Sequence, residues 1–250
     1  MTTALILAGG LGTRLRSVVS DVPKPMAPVG GRPFLEWLMD YWINQGVSRF
    51  ILSLGYMSEH FVRHFGSHYH GAVIDYSIED TPLGTGGGLI QGLERVSDDR
   101  PILVLNGDTF FGVQLSTLVK FANQQQAHWC LCLSQHRDTN RYLGISLSEQ
   151  NTITSFNTQQ QGQPLTDTPT QDCLINAGVY WVKPSCLKNA YPKGTTISLE
   201  NQILPDALTN NLKVCGMRWD AEFIDIGTPY DYDLAERILL RASCSTNSIQ

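Results

Sequence analysis

The amino-acid sequence predicts an α/β fold with an open, mostly parallel sheet and helices on its faces. Three observations support this prediction. Strand-like and helix-like segments alternate through the first half of the chain. Pro101–Leu105 is apolar throughout, which is typical of a strand buried on both faces. Glycine-rich turns and acidic residues follow several of the strand candidates, where open α/β sheets bind their ligands.

The first half of the chain alternates strands and helices. Ala4–Ala8 is an apolar run that predicts a buried strand. Pro33–Gln45 is apolar nearly all round and Gly46 follows it, which predicts a buried helix. Arg49–Leu54 predicts the second strand. Further strands are predicted at 72–78 and 101–105, and helices at 58–65, 86–96 and 114–125.

The second half is richer in strands. We predict strands at 128–134, 143–148, 152–157 and 173–182, a short apolar strand ending at Asp225, and helices at 198–209 and 229–242. Residues 158–172 are rich in Gln, Thr and Pro, and they predict a polar surface loop. We therefore expect one domain over residues 1–242 and a flexible tail over residues 243–250.

Composition excludes several classes of protein. The 250 residues carry a formal net charge of −5 and show no basic patch, which argues against nucleic-acid binding. The N-terminus lacks a basic region before its short apolar run, and no apolar run is long enough to cross a bilayer. The six cysteines form no CxxC pair, so we expect a reduced, cytoplasmic protein. A homo-oligomer is compatible with the sequence.

The most informative segment follows the first strand. Glycines 9, 10 and 12 let the backbone approach a bulky anion and direct N–H groups at phosphate oxygens, and Arg14 adds a cation. Lys24 lies between two prolines, which restrict its backbone. A dinucleotide-binding loop would need a third glycine, and a Walker loop would end in Gly-Lys-Ser/Thr. A tight turn alone explains the glycines but not Arg14 together with Lys24.

A second glycine-rich segment, Glu79–Gly88, leads into a helix. Its N–H groups and the helix dipole favour an anion or a polar ligand edge. The alternative is an ordinary helix cap, which Thr85 alone could supply. Because the segment follows a strand of the same sheet, we expect it to lie beside the first glycine loop.

Two aspartates follow apolar strand candidates. Asp108 ends the segment Asn106–Asp108 after the buried strand, and Asp225 ends the apolar run that begins at Phe223. Asn-Gly turns with a solvated aspartate are common, so Asp108 alone decides little. Two strand-end carboxylates beside phosphate-binding loops favour a site for Mg²⁺.

These motifs together resemble those of the sugar nucleotidyltransferases. The matching segments are residues 9–14, 23–26, 82–87, 106–108, 176–180 and 225–229, in that order. The stretch 12–28 is similar in detail to the bacterial D-glycero-D-manno-heptose 1-phosphate guanylyltransferases. The resemblance spans nearly the whole chain and implies the Rossmann-like, GT-A-like fold of nucleotide-diphospho-sugar transferases.

The resemblance implies a reaction in which a sugar 1-phosphate attacks the α-phosphorus of an NTP and releases pyrophosphate, for cell-surface polysaccharide synthesis. Arg14 and Lys24 would be catalytic, and Asp108 and Asp225 would hold Mg²⁺. The residues implied to bind the nucleotide are Leu7, Ala8, Gly9, Gly10, Gly12, Thr13, Glu79, Pro82, Gly84 and Thr85. Those implied to bind the sugar are Asn106, Tyr142, Gly144 and Asn176.

Glu79 indicates GTP as the nucleotide. Related uridylyl and thymidylyl enzymes tend to carry glutamine there, whereas a carboxylate can accept from both N1–H and the exocyclic amine of guanine. The alternative is a surface acid beside Asp80. The heptose phosphate is the expected acceptor, with mannose or glucose 1-phosphate as alternatives.

Two further classes of protein compete with this interpretation. A glycosyltransferase of similar fold would carry an Asp-x-Asp motif, but residues 106–108 read Asn-Gly-Asp. A non-catalytic nucleotide-sugar-binding regulator would be expected to lose some of the four charged residues Arg14, Lys24, Asp108 and Asp225. All four are present.

The sequence departs from the family pattern at one place. Most relatives carry Glu-Lys after Phe156, where this chain has Asn157 and Thr158. We expect a nearby cation, such as Arg141 or Lys183, to replace the lysine. The alternative is weak binding of the sugar phosphate by a slow enzyme.

Overall fold

The protein is described by a computed structural model that covers residues 1–10, 12–136, 144–157 and 173–246. Its strands are β1 (Thr2–Leu7), β2 (Pro28–Val29), β3 (Arg32–Pro33), β4 (Val47–Leu54), β5 (His68–Tyr69), β6 (Ala72–Ile78), β7 (Ile102–Asn106), β8 (Thr109–Phe111), β9 (Trp129–His136), β10 (Gly144–Leu147), β11 (Ile153–Asn157), β12 (Cys173–Val182), β13 (Val214–Arg218) and β14 (Phe223–Asp225). Its α-helices are α1 (Phe34–Ile43), α2 (Ser58–Phe65), α3 (Gly84–Leu93), α4 (Leu115–Gln124), α5 (Leu204–Thr209) and α6 (Pro229–Thr246).

Ten strands form one mixed sheet. Its order is β11-β10-β12-β7-β1-β4-β6-β5, with β9 paired to β12 and β13 paired to β9. The middle strands β7, β1, β4 and β6 are parallel, so their carboxyl ends lie at one edge of the sheet. Strands β10 to β12 are antiparallel to their neighbours. The predicted α/β fold with its large, mostly parallel sheet is confirmed.

Side chains of the central strands alternate between the two faces of the sheet, and they form a buried core on each face. In β1, Ala4 and Ile6 belong to one buried cluster and Leu5 to the other. The first cluster is covered by α1, α2, α4 and α6, and the second by α3 and α5. Removing this much apolar surface from water is the main stabilising contribution to such a fold. The two helix layers leave the carboxyl edge of the central strands open for a site.

Several elements differ from the prediction. The helix expected over 198–209 is a π-helical turn, Leu199–Ile203, followed by α5. Pro205 has no N–H and cannot continue an α-helical ladder, which accounts for the irregular turn before it. Strand β13 was not predicted, because it is short and interrupted by Gly216 and forms only by pairing with β9.

The boundaries of the other predicted elements agree with the structure to within a few residues, and the short strands β2, β3, β5 and β8 were not predicted. Helix α3 begins at Gly84, inside the second glycine segment. Helix α6 continues to Thr246, beyond the predicted end at residue 242, and Ala242 is buried in the core. The predicted loop 158–172 lies outside the described residues. Within the described ranges, no helix is both long enough and apolar enough to span a bilayer.

Candidate active site

A cleft of about 380 Å³ opens at the carboxyl ends of β1, β4 and β7. This volume falls in the range of ligand-binding clefts. Every residue that the sequence assigned to the nucleotide lines it: Leu7, Ala8, Gly9, Gly10, Gly12, Thr13, Glu79, Pro82, Gly84 and Thr85. Arg14, Lys24, Asn106 and Asp108 line the same cleft. The folding of the sheet thus brings together segments that are far apart in the sequence.

The first glycine segment presents unused backbone donors to the cleft. Among the described residues, no acceptor receives the N–H groups of Gly9, Gly10 or Thr13. Leu15 is 1% exposed and anchors the turn that follows, while Arg14 beside it is exposed and lines the cleft. Arg14 forms no ion pair with any described residue. N–H groups and a guanidinium that are not paired with any other described residue form an anion-binding surface.

Gly12 allows this segment to approach Lys24 closely. Its φ is +58°, a conformation that favours glycine, and a Cβ there would lie 2.9 Å from Cβ of Lys24. Lys24 begins a 3-10 turn, Lys24–Met26, whose N-cap is Pro23. The lysine is therefore held against the glycine segment by backbone packing on one side and proline geometry on the other.

The two predicted acids meet at this lysine. The Nζ atom of Lys24 donates to Oδ2 of Asp108 at 2.6 Å and to Oδ1 of Asp225 at 3.2 Å. Strand β8 begins directly after Asp108 and pairs with β14, which ends at Asp225. The N–H of Ile226 also donates to the backbone oxygen of Asp108 at 3.0 Å. This small two-stranded sheet, which the sequence did not predict, fixes the two carboxylates side by side.

Burial and charge act in opposite directions on Lys24. Burial lowers the pKa of the ammonium, but the two carboxylates outweigh burial and raise the pKa above its ordinary value. The lysine is therefore a permanent cation at neutral pH.

The two carboxylates could hold a metal ion. Asp108 and Asp225 converge on one point, and carboxylate oxygens are the ligands that Mg²⁺ prefers. Among the described residues, no group of three or more His, Cys, Asp or Glu could hold a metal. The pair fits Mg²⁺ only if phosphate or water oxygens complete its coordination.

The second glycine segment is built differently from the prediction. The N–H groups of Gly86 and Gly87 both donate to the backbone oxygen of Ile197, at 2.9 and 3.2 Å, and so do not face an anion. A Cβ at Gly86 would lie 2.9 Å from that same oxygen. These glycines admit the crossing backbone 195–199 rather than a ligand. From this segment, Glu79, Pro82, Gly84, Thr85 and Gly88 line the cleft, whereas Gly86 and Gly87 do not.

Thr85 does not cap α3. Its hydroxyl donates to Glu200 at 2.8 Å and accepts from the N–H of Leu199 at 2.9 Å. The helix has no side-chain N-cap, and its N-cap residue is Leu83. Thr85 therefore joins the wall of the cleft to the crossing segment, which neither the anion interpretation nor the cap interpretation anticipated.

Glu79 lies on the cleft wall, with its Oε1 atom close to both Gly9 and Gly88. Its Oε2 atom accepts from the N–H of Leu83 at 2.8 Å. Burial raises the pKa of this carboxyl, and the Leu83 hydrogen bond offsets only part of that effect. Half-buried and facing the cleft, Glu79 differs from the solvated surface acid that was the alternative.

The residues predicted for the sugar meet partly around Tyr180. Asn176 donates to the Tyr180 hydroxyl at 2.6 Å, and its Oδ1 accepts from the N–H of Gly178 at 3.1 Å. Asn106 packs against Gly178 and lines the cleft. Gly144 begins β10 and pairs with Ile175, one residue before Asn176. Tyr142 lies outside the described residues.

The structure contradicts one proposed replacement for the missing lysine. Lys183 directly follows Val182, which pairs with Ile102 at the amino end of β7. Asn106 lies four residues further along β7, at the other end of the strand, and is therefore about 13 Å from Ile102 at about 3.3 Å per residue. Lys183 instead approaches Asp99 at 3.9 Å. Antiparallel pairing carries it away from the cleft, and Arg141 and Thr158 lie outside the described residues.

Sequence reasoning missed four residues of the cleft. These are Ser53, Pro25, Gly88 and Gly227. Pro25, Gly88 and Gly227 lie within quoted motifs but were given no role. Ser53 is a polar residue among the apolar residues of the second half of β4, and its place near the carboxyl end of the strand was the available signal.

Comparison with known proteins extends this description. The family model described as nucleotidyl transferase matches residues 3–241. A D-glycero-alpha-D-manno-heptose 1-phosphate guanylyltransferase from Campylobacter jejuni subsp. jejuni is 38% identical over 232 residues, 92% of this chain and 96% of the relative. The enzyme of the same name from Aneurinibacillus thermoaerophilus is 36% identical, over 94% of this chain and 97% of the relative.

A solved structure agrees in fold over nearly the same range. HddC from Yersinia pseudotuberculosis, complexed with GMP-PN, superimposes with a TM-score of 0.80 at 30% identity. The match covers 95% of this chain and 99% of that chain. Sequence, motif order and architecture agree, and the chain belongs to the nucleotidyl transferase family.

Proposed function

We propose that the protein transfers GMP from GTP to D-glycero-α-D-manno-heptose 1-phosphate, giving a GDP-heptose and pyrophosphate. The observation that carries this proposal is the convergence of Lys24, Asp108 and Asp225 beside the unused N–H groups of the first glycine segment. A cation, two carboxylates and an anion-binding loop suit an attack on a polyphosphate. The heptose guanylyltransferases among the relatives support the choice of substrates.

The chain would contribute mainly position and charge. The N–H groups of Gly9, Gly10 and Thr13 would hold phosphate oxygens, and Arg14 would neutralise the leaving pyrophosphate. Lys24 would turn from the carboxylates to hold the attacking sugar phosphate against the α-phosphate, two anions that otherwise repel each other. Its raised pKa keeps the charge that this role needs.

Asp108 and Asp225 would hold Mg²⁺ between them. When bound, the ion supplies charge neutralisation for the phosphate oxygens around the α-phosphorus. The carboxylates would then exchange their ion pairs with Lys24 for metal ligation, which releases the lysine for the phosphates. The small sheet of β8 and β14 would keep the carboxylates in place during that exchange.

Glu79 supports GTP among the nucleotides. Its carboxylate lies on the cleft wall, fixed through Leu83, and could accept from both N–H groups on the guanine edge. Asn106 and Asn176 would bind sugar hydroxyls.

A role in cell-surface polysaccharide synthesis and a cytoplasmic location belong to the same proposal. The free thiols among the described cysteines support a reducing compartment.

A substrate matrix tests the proposal. Purified protein with Mg²⁺ is offered each common NTP against heptose, mannose and glucose 1-phosphates, and the products are identified by mass. We expect the highest kcat/KM for GTP with the heptose phosphate. A preference for UTP or dTTP would contradict the base assignment, and a preference for mannose 1-phosphate would replace the acceptor. GTP binding without any turnover would favour a regulatory protein.

A further inference from the structure

One buried hydroxyl in the cleft wall has no hydrogen-bond partner among the described residues. Ser53 is the penultimate residue of β4 and is 1% exposed, yet no described residue forms a hydrogen bond with its Oγ atom. A buried polar group without a partner is costly and calls for an explanation. Ile51, two residues earlier on the same face of β4, is apolar and fully buried, so packing alone does not call for a hydroxyl here.

The unpaired hydroxyl lies beside Glu79. A Cβ at Gly88 would lie 2.7 Å from Oγ of Ser53 and 2.6 Å from Oε1 of Glu79, so both oxygens occupy the space that glycine leaves. The other carboxylate oxygen, Oε2, is already held by the N–H of Leu83. One oxygen of Glu79 is thus fixed, and the other lies near a donor that has no acceptor.

We propose that Ser53 is a positioning residue for nucleotide selection, whose hydroxyl donates to Oε1 of Glu79 when a guanine base occupies the cleft. This inference rests on the proposed function, in which Glu79 reads the guanine edge. Each carboxylate oxygen has two lone pairs, so Leu83 and Ser53 could each take one and leave one apiece for the base. Held at both oxygens, the carboxylate would face N1–H and the exocyclic amine of guanine in a fixed orientation.

Charge strengthens this arrangement. A hydroxyl that donates to a carboxylate stabilises the ionised form, and burial works against that form at Glu79. Guanine binding needs the ionised form because only it can accept two hydrogen bonds with both oxygens. The donor from Ser53 would therefore help most in the nucleotide complex.

The chain offers a matched control. Ser77 pairs with Ser53 in the β4–β6 register and is also buried, at 2% exposed, but it does not line the cleft. The experiment measures KM and kcat for GTP and ATP with Ser53→Ala, Ser77→Ala, Glu79→Gln and the Ser53→Ala/Glu79→Gln double variant. Thermal unfolding of each variant is measured in parallel.

We expect Ser53→Ala to raise the KM for GTP about fivefold to tenfold, with kcat within about twofold. The KM for ATP should stay the same, because adenine offers no N1–H to Glu79. In the Glu79→Gln background, Ser53→Ala should change the KM for GTP less than about twofold. Ser77→Ala alone should likewise change the KM for GTP less than about twofold relative to the native protein. The melting temperature of Ser53→Ala should be unchanged or higher, because an unpaired hydroxyl has been removed.

The outcomes separate two failures. If the native protein shows no preference for GTP over ATP, the proposed function loses its base assignment. If the native protein prefers GTP and Glu79→Gln removes that preference, but Ser53→Ala leaves it intact, only the role of Ser53 is wrong. The positioning role of Ser53 would also be wrong if Ser53→Ala raised the KM for GTP equally in the native protein and in the Glu79→Gln variant.

Discussion

At the scale of single residues, the main feature is a lysine shared by two carboxylates. Lys24 is 9% exposed and reaches both Asp108 and Asp225. A buried cation needs such partners, because desolvation alone would favour its neutral form. The same three groups would be rearranged when phosphates and Mg²⁺ bind, so they link the stability of the site to its chemistry.

The first prediction concerns the acids. Asp108→Asn and Asp225→Asn should each lower kcat at least about 100-fold, because each removes half of the charge available for Mg²⁺. Turnover is measured at limiting Mg²⁺, with Asp80→Asn as control, since Asp80 is exposed and lies outside the cleft lining. Near-normal turnover of either variant would remove the metal assignment.

The second prediction concerns Lys24 itself. Lys24→Met leaves two carboxylates facing each other without a cation, and should lower the free energy of unfolding by about 1–3 kcal/mol. Mg²⁺ should raise the melting temperature of this variant more than that of the native protein, because the ion no longer competes with the ammonium. Lys120→Met, on the exposed face of α4, serves as control. Equal responses to Mg²⁺ would show that the carboxylates do not form a cation site.

The third prediction concerns pH. Burial raises the pKa of Glu79, so the carboxyl takes up a proton at a higher pH than an ordinary glutamate. kcat/KM for GTP should therefore fall as pH decreases through that raised pKa, and Glu79→Gln should lack this acid limb. A raised carboxyl pKa favours the folded state only while the group is protonated, and this contribution is lost as pH rises through the folded pKa.

Stability gives an independent check on the same residue. At neutral pH, Glu79→Gln should unfold at a higher temperature than the native protein, because it removes a partly desolvated charge. Below the raised pKa the difference should shrink. A glutamine variant that is less stable at neutral pH would show that the Leu83 hydrogen bond outweighs burial.

Most of the charged site could be predicted from local sequence. Arg14, Lys24 and Asp108 each lie within two residues of glycine or proline in a short motif, and such motifs encode their own backbone geometry. Ser53 could not be predicted in the same way. Its environment is made by Gly88 and Glu79, which approach it only after β4, β6 and α3 have packed.

At the scale of elements, the two glycine segments look alike in sequence but differ in structure. The first leaves its N–H groups unused, whereas the second gives those of Gly86 and Gly87 to the crossing backbone at Ile197. That crossing lies more than a hundred residues later in the chain, so composition could not distinguish a ligand loop from a packing site. The same holds for β8 and β14, whose pairing brings Asp108 and Asp225 together.

The fourth prediction uses this contrast. Gly10→Ala meets no atom within 4 Å, so stability should hold while the new methyl group in the cleft raises the KM for GTP several-fold. Gly86→Ala places a methyl 2.7 Å from Cδ1 of Ile203, which should cost about 1–3 kcal/mol of stability. Kinetics and thermal unfolding of both variants check it. Similar effects of the two substitutions on stability would contradict the distinction.

At the scale of the whole molecule, the parallel centre of the sheet sets the place of the site. Strands β1, β6 and β7 end at one edge, and the segments that follow them supply the glycine loop, the cleft wall at Glu79 and Asp108. Strand β4 ends at the same edge and contributes Ser53. The antiparallel strand β12 carries Asn176 toward this edge from the other direction, but Asn176 does not line the cleft. Alternation of strands and helices was sufficient to predict this edge, but the antiparallel half depended on pairings that no local pattern reports.

The central claim is that sugar phosphate oxygen attacks the α-phosphorus of GTP in this cleft. The most direct measurement supplies heptose 1-phosphate labelled with oxygen-18 at its non-bridging phosphate oxygens and follows the label by mass. The account predicts that all of the label remains in the GDP-sugar, that pyrophosphate carries none, and that both products form in equal amounts. Label in the pyrophosphate, or a product formed with loss of the sugar phosphate oxygens, would contradict it.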